Sequence, residues 1–128
     1  MARNTTRQGA NFELAVMHFL EEHGYTCLRS SGSRGAVDVV GVPPVPNDAA
    51  WRLWGRQRIL FTQCKTTNPV IPPAERIALQ DLALRAGADP LVAFKALDET
   101  TRRITIKFRR LTGPGPKDWE PWAPGEDD

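Results

Sequence analysis

The chain has 128 residues, of which 41% are hydrophobic and 25% charged, with 17 Lys and Arg against 15 Asp and Glu for a net charge of +2. That length suits one domain, and folding it buries about two-thirds of the unfolded surface, so a single ordinary core is feasible and wholesale disorder is excluded. No apolar run reaches the roughly 20 residues of a membrane span, and the basic start Met1–Arg7 has no apolar stretch behind it, so it does not read as a secretory signal. Cys27 and Cys64 lack metal-site spacing. The expectation is a reduced, cytoplasmic protein (host cytoplasm if viral) with no membrane partner.

In chain order, Phe12, Ala15, Val16, Phe19 and Leu20 recur at helical spacing and predict a first helix from about Arg7 to His23, stopped by Gly24. Tyr25–Arg29 reads as a short strand and Ser30–Gly35 as a flexible turn. Val37–Val42 is a β-branched second strand whose one charge is Asp38. A Pro-rich loop from Pro43 to Gln57, carrying Trp51 and Trp54, leads to a third strand, Arg58–Lys65. A second helix runs from about Ala74 to Arg85 and stops at Gly87. Leu91–Leu97 and Arg103–Phe108 then form a strand pair. Pro and Gly beyond Leu111 predict an irregular tail over 112–128, leaving 1–111 as the domain. The order α-β-β-β-α-β-β gives an α/β fold with a central mixed five-stranded sheet flanked by helices.

Chemistry is carried by polar residues that interrupt apolar elements. A charge at Asp38, inside an apolar strand, is costly unless paired. Gln63 and Lys65, two apart at a strand end, project to one face, while Cys64 points to the other, toward the core. If the second and third strands are neighbours, Asp38, Gln63 and Lys65 converge. Glu13 lies about 100° from Phe12, on the border of the buried stripe, and can reach inward. Two carboxylates plus an amide or backbone oxygen match Mg²⁺, which keeps several waters and takes few protein ligands. A lysine beside them can orient or deprotonate an attacking water, an arrangement suited to phosphodiester hydrolysis.

The ordered set Glu13, Asp38 and Gln63-Cys64-Lys65, on helix, strand and strand, resembles the PD-(D/E)xK nuclease superfamily, and within it the archaeal-type Holliday junction resolvases and their phage relatives. Arg7 and Gly9 ahead of Glu13, the Gly24-Tyr25 step, Arg29 with Ser31-Gly32-Ser33, and Pro90–Lys95 add to the likeness, which covers roughly residues 3 to 110. The resemblance implies a restriction-endonuclease-like fold and a Mg²⁺-dependent (Mn²⁺ as substitute) endodeoxyribonuclease of DNA recombination and repair. It would resolve four-way DNA junctions as a homodimer, by paired symmetric nicks. By it, Glu13 and Asp38, with Gln63 and the backbone carbonyl of Cys64, would hold the metal, and Lys65 would serve the water. Ser31 or Ser33 would contact the scissile phosphate or help place the metal. Arg3, Arg7, Arg29 and Arg34 would contact DNA. Gln63 stands where the family usually has an acid, which should weaken metal binding; glutamine there also resembles the Mrr-type branch. A nuclease acting on non-junction DNA, or a non-catalytic DNA-binding protein of the same fold, are the alternatives.

Other features carry two readings each. Arg103, Thr105, Lys107 and Arg109, alternating with Ile104, Ile106 and Phe108, make either a DNA-facing surface or an edge strand blunted by charge. Trp51, Trp54, Trp119 and Trp122 read as packing residues before stacking platforms for bases. On the second helix, Leu79, Leu82, Ala83 and Ala86 form one apolar face and Ile77 and Leu84 another, a candidate dimer element.

Overall fold

The computed structural model describes residues 2–30, 35–44, 58–66 and 68–124. Among them the elements run α1 (Ala2–Glu21), β1 (Thr26–Arg29), β2 (Val39–Val42), β3 (Leu60–Cys64), α2 (Pro73–Ala86), β4 (Asp89–Asp98), β5 (Arg103–Leu111) and β6 (Trp119–Trp122). All the strands join one mixed sheet in the order β1-β2-β3-β4-β5-β6. Only β3 and β4 pair in parallel, with α2 as the crossover that such a pair requires.

The α/β class and the order of the first seven elements agree with the sequence reading, but the sheet has six strands, not five. The segment after Leu111 is not wholly irregular: β6 pairs antiparallel with β5, Phe108 opposite Trp122 and Leu111 opposite Trp119. Trp122 meets the Phe108 ring edge-on at 5.2 Å, so both tryptophans of this segment pack it onto the body. A proline at 121 is tolerated because β6 is the outermost strand, where a missing N–H breaks no ladder. The edge-strand reading of β5 therefore holds only for Arg103–Lys107, which pair with β4 alone.

The two helices cover opposite faces. Phe12, Val16 and Leu20 of α1 are buried against Cys27, Val39, Leu60, Leu91, Ala93 and Phe108, while Ala15 of the same stripe lies exposed at its margin. Under α2, Leu79 packs with Ile71, Val92 and Leu111. The strand period of two sends Leu60 and Cys64 of β3 toward α1 and Phe61 toward α2. The helix starts one residue earlier than the sequence suggests because Pro73 sits in its first turn, where a missing N–H is harmless. It ends at Gly87, whose φ of 68° puts the backbone in the left-handed region and turns its N–H back onto the carbonyls of Ala83 and Leu84.

The buried stripe of α2 is narrower than expected. It consists of Arg76, Leu79 and Ala83, and Leu82 and Ala86 are exposed alongside Ile77 and Leu84. Leu79→Ala should therefore cost about 2–5 kcal/mol in urea denaturation, and Leu84→Ala, at a side chain 81% exposed, no more than about 0.5 kcal/mol. Equal losses at the two positions would mean that α2 docks through a different face.

Candidate active site

Asp38 immediately precedes β2 rather than lying inside it. Its backbone N–H still donates to the Thr62 carbonyl at 2.8 Å, extending the β2–β3 ladder by one step, and its carbonyl accepts from the Ser30 N–H at 2.9 Å. With Val39 opposite Thr62, the Asp38 side chain reaches the end of β3, where Oδ2 accepts the Cys64 backbone N–H at 2.8 Å. The Lys65 N–H donates to the Ala93 carbonyl at 2.8 Å, so the residue just past β3 is held as well.

Gln63 and Lys65 share a face, as their spacing predicts, and they converge on one atom. Gln63 Nε2 lies 3.1 Å from Glu75 Oε1, and Lys65 Nζ lies 3.2 Å from the same oxygen. Glu75 comes from the first turn of α2. From α1, Glu13 turns its carboxylate inward, with Arg29 Nε 3.7 Å from Oε1. Arg29 also donates to the Ala10 carbonyl.

Glu13, Asp38, Gln63, Cys64, Lys65 and Glu75 line a single open cleft. Its other lining residues are Gly35, Ala36, Ala74 and Ala78, so among the described residues no bulky side chain fills the space between the charged groups. Ser31, Ser33 and Arg34 lie outside the described residues, as do Trp51 and Trp54 with the Pro43–Gln57 loop beyond Pro44. Arg3 and Arg7 fall on the first turns of α1, where the side chains are outside the described part.

The electrostatics follow from crowding acids into a half-buried space. Burial raises the Glu13 carboxyl above its ordinary value, the negative charge of Asp38 raises it further, and Arg29 opposes both. Asp38 is raised chiefly by burial; the Cys64 amide and Lys65 pull it back down and Glu75 pushes it up. The Cys64 thiol packs against the α1 core and is driven well above its normal range by burial, Asp38 and Glu13, so it remains a thiol and not a nucleophile. Cys27, buried, is raised to about 11.

Gln63 is only 8% exposed, and its Oε1 is buried without a hydrogen-bond partner among the described residues. Its amide cannot turn over, since that would face a carbonyl oxygen against the Glu75 carboxylate.

The Gln63 amide oxygen, without a partner among the described residues, and the Glu13 and Asp38 carboxyls belong to residues lining one cleft, and these are oxygen types a divalent cation takes. Among the described residues no three His, Cys, Asp or Glu side chains are grouped closely enough to hold an ion unaided. Mg²⁺ does not demand such a cage, because it keeps most of its waters and accepts one or two carboxylates. The residues present fit that ion.

Glu75 is the site residue the sequence did not single out. An acid in the first turn of a helix is ordinary, favoured by the dipole alone, and only the β3–α2–β4 crossover brings this one over Gln63 and Lys65. No protein-family model matches the chain, and no curated protein sequence matches it.

The raised Asp38 carboxyl has a consequence for stability. The folded state holds this proton longer than the unfolded state, so Asp38 removes stability as pH rises from the ordinary carboxylate range, about 4, toward neutral. Asp38→Asn keeps an acceptor for the Cys64 N–H and removes the charge. It should melt above the parent at neutral pH, the gap closing below about pH 4, as followed by circular dichroism. A gap independent of pH would show that burial does not govern this carboxylate.

Proposed function

We propose that the chain is a divalent-metal-dependent DNA endonuclease with a restriction-endonuclease-like fold, resolving four-way junctions by paired symmetric nicks as a homodimer. The observation that carries this reading is the convergence of Glu13, Asp38, Gln63 and Lys65, from a helix, a strand start and a strand end, on one open cleft. The cytoplasm is the proposed setting, where the free thiols of Cys27 and Cys64 stay reduced.

Glu13, Asp38 and Gln63 Oε1 would hold Mg²⁺ or Mn²⁺, together with the Cys64 carbonyl that the family resemblance implies. When bound, such an ion screens phosphate charge and acidifies water. The remaining work falls to the chain's own groups. Cys64 N–H fixes the Asp38 carboxylate. Glu75 holds the Lys65 ammonium and the Gln63 amide through one oxygen. It also places beside Gln63 the negative charge that glutamine does not supply. Lys65, held there, orients an attacking water and offsets the charge that builds on the phosphate oxygens. Arg29, at the Glu13 side of the cleft, would meet the DNA backbone, a contact that sets position rather than sequence. Paired nicks require two centres related by a two-fold axis, which this chain would supply as a dimer.

The test is cleavage of junction, flap and linear duplex DNA, side by side, with Mg²⁺, with Mn²⁺ and with chelator. Expected are symmetric nicks confined to junctions and dependent on metal. Lys65→Ala should lose roughly 10²–10⁴-fold in rate. Asp38→Asn should lose at least as much while still binding junctions, more weakly as salt rises. Equal cutting of linear duplex would shift the substrate to non-junction DNA, the direction in which Gln63 points. No cleavage of any DNA with either ion would leave a binding protein and remove the enzyme.

A further inference from the structure

A second cavity abuts the first turn of α2. Pro73 and Arg76 line it, whereas Ala74, Glu75 and Ala78 line the carboxylate cleft, so the two spaces share a helix turn and no residue of it. Its walls include Ile71, Leu111, Pro114 and Pro116, and its charged groups are Arg76 and Arg109.

Arg76 is 6% exposed, and its Nη1 donates to the carbonyl oxygens of Gly113, at 3.0 Å, and Asp118, at 3.4 Å. The Arg109 guanidinium lies 3.7 Å from the Trp119 ring centroid and 5.4 Å from that of Phe94, and its Nε is buried without a partner. The two cations act on each other: after burial, the charge of Arg76 is what lowers the affinity of Arg109 for its proton.

Several described arginines have an acid beside them, and Arg102 and Arg103, unpaired among the described residues, are exposed to water. Arg29, Arg58, Arg85 and Arg110 face Glu13, Asp89, Asp81 and Glu120. Among the described residues, no carboxylate forms an ion pair with Arg76 or Arg109. Asp118 meets Arg76 through its backbone carbonyl, while its carboxylate accepts the Gly115 N–H at 2.8 Å. The start of α2 has no side-chain cap, and the acid of its first turn, Glu75, lines the carboxylate cleft and not this cavity. Two guanidinium groups lining one cavity that, among the described residues, bond only neutral acceptors and aromatic faces are short of one negative partner. Guanidinium forks match the oxygens of a phosphate in geometry as well as charge.

We propose that Arg76 and Arg109 form a phosphate-binding site, filled by a phosphate of a DNA chain or of a free nucleotide. It needs no catalytic activity in the carboxylate cleft. The test is calorimetric titration of the full chain with inorganic phosphate and with pyrophosphate against chloride at matched ionic strength, repeated with a short single-stranded oligonucleotide present.

One phosphate site is expected, weakened about tenfold or more in Arg109→Gln. Arg109→Lys, which keeps the charge and loses the fork, should bind measurably less tightly than the parent and carries the test if Arg109→Gln does not fold. Competition by the oligonucleotide supports the site and assigns it to DNA backbone; undiminished phosphate binding supports it and assigns it to a small phosphate compound. Heats no larger than those of chloride, or equal affinity in parent and folded variant, would overturn the proposal.

Discussion

The hydrogen bond from the Cys64 amide to the Asp38 carboxylate is the contact on which the cleft depends. It joins the residue before β2 to the last residue of β3 and so locks the register that sets Val39 opposite Thr62. A strand has period two, so a slip of one residue would turn Gln63 and Lys65 toward α1 and present Cys64 to Glu75. The apolar pattern enforces the same register. Leu60 is fully buried on the α1 side, and Phe61 packs with the cluster beneath α2. Packing and chemistry thus demand one alignment, and the carboxylate is held by backbone rather than by a mobile side chain.

That alignment carries an electrostatic penalty. Glu13, Asp38 and Glu75 face one cleft with Lys65 as the cation among its lining residues. Burial and mutual repulsion raise the Glu13 and Asp38 carboxyls. Gln63 moderates the conflict, since an acid in its place would bring a fourth negative charge close to Glu75. A fold selected only for stability would relieve the crowding by substitution. Such crowding is what the proposed cation site would use.

The sequence carried the parts of this site that depend on short-range periodicity. Alternation put Gln63 and Lys65 on one side of β3. An isolated charge in an apolar run marked Asp38, and helical spacing put Glu13 at the margin of the α1 stripe. Glu75 and Arg76 were not legible, because their neighbours are set by how a crossover helix lands on the sheet. The sixth strand was hidden for a related reason. Trp119-Glu120-Pro121-Trp122 is only four residues long and has a proline at its centre. It pairs only because the rings of Trp119 and Trp122 find Arg109 and Phe108 on the neighbouring strand. Ion pairing of Arg110 with Glu120 adds to that edge.

The first turn of α2 then organises charge on two sides at once. Successive helical residues point about 100° apart, so Glu75 enters the carboxylate cleft while Arg76 enters the neighbouring cavity. One space is short of a cation and the other of an anion. Under the proposed function, a phosphodiester chain bearing its own counter-cation would meet both needs, its negative phosphates drawn toward the arginines and the cation toward the acids. The same helix turn is anchored twice, by Gln63 and Lys65 through Glu75 and by the Gly113 and Asp118 carbonyls through Arg76. The segment before β6 is thereby tied to the helix that borders the cleft, which makes β6 a support for the positive cavity as well as the edge of the sheet.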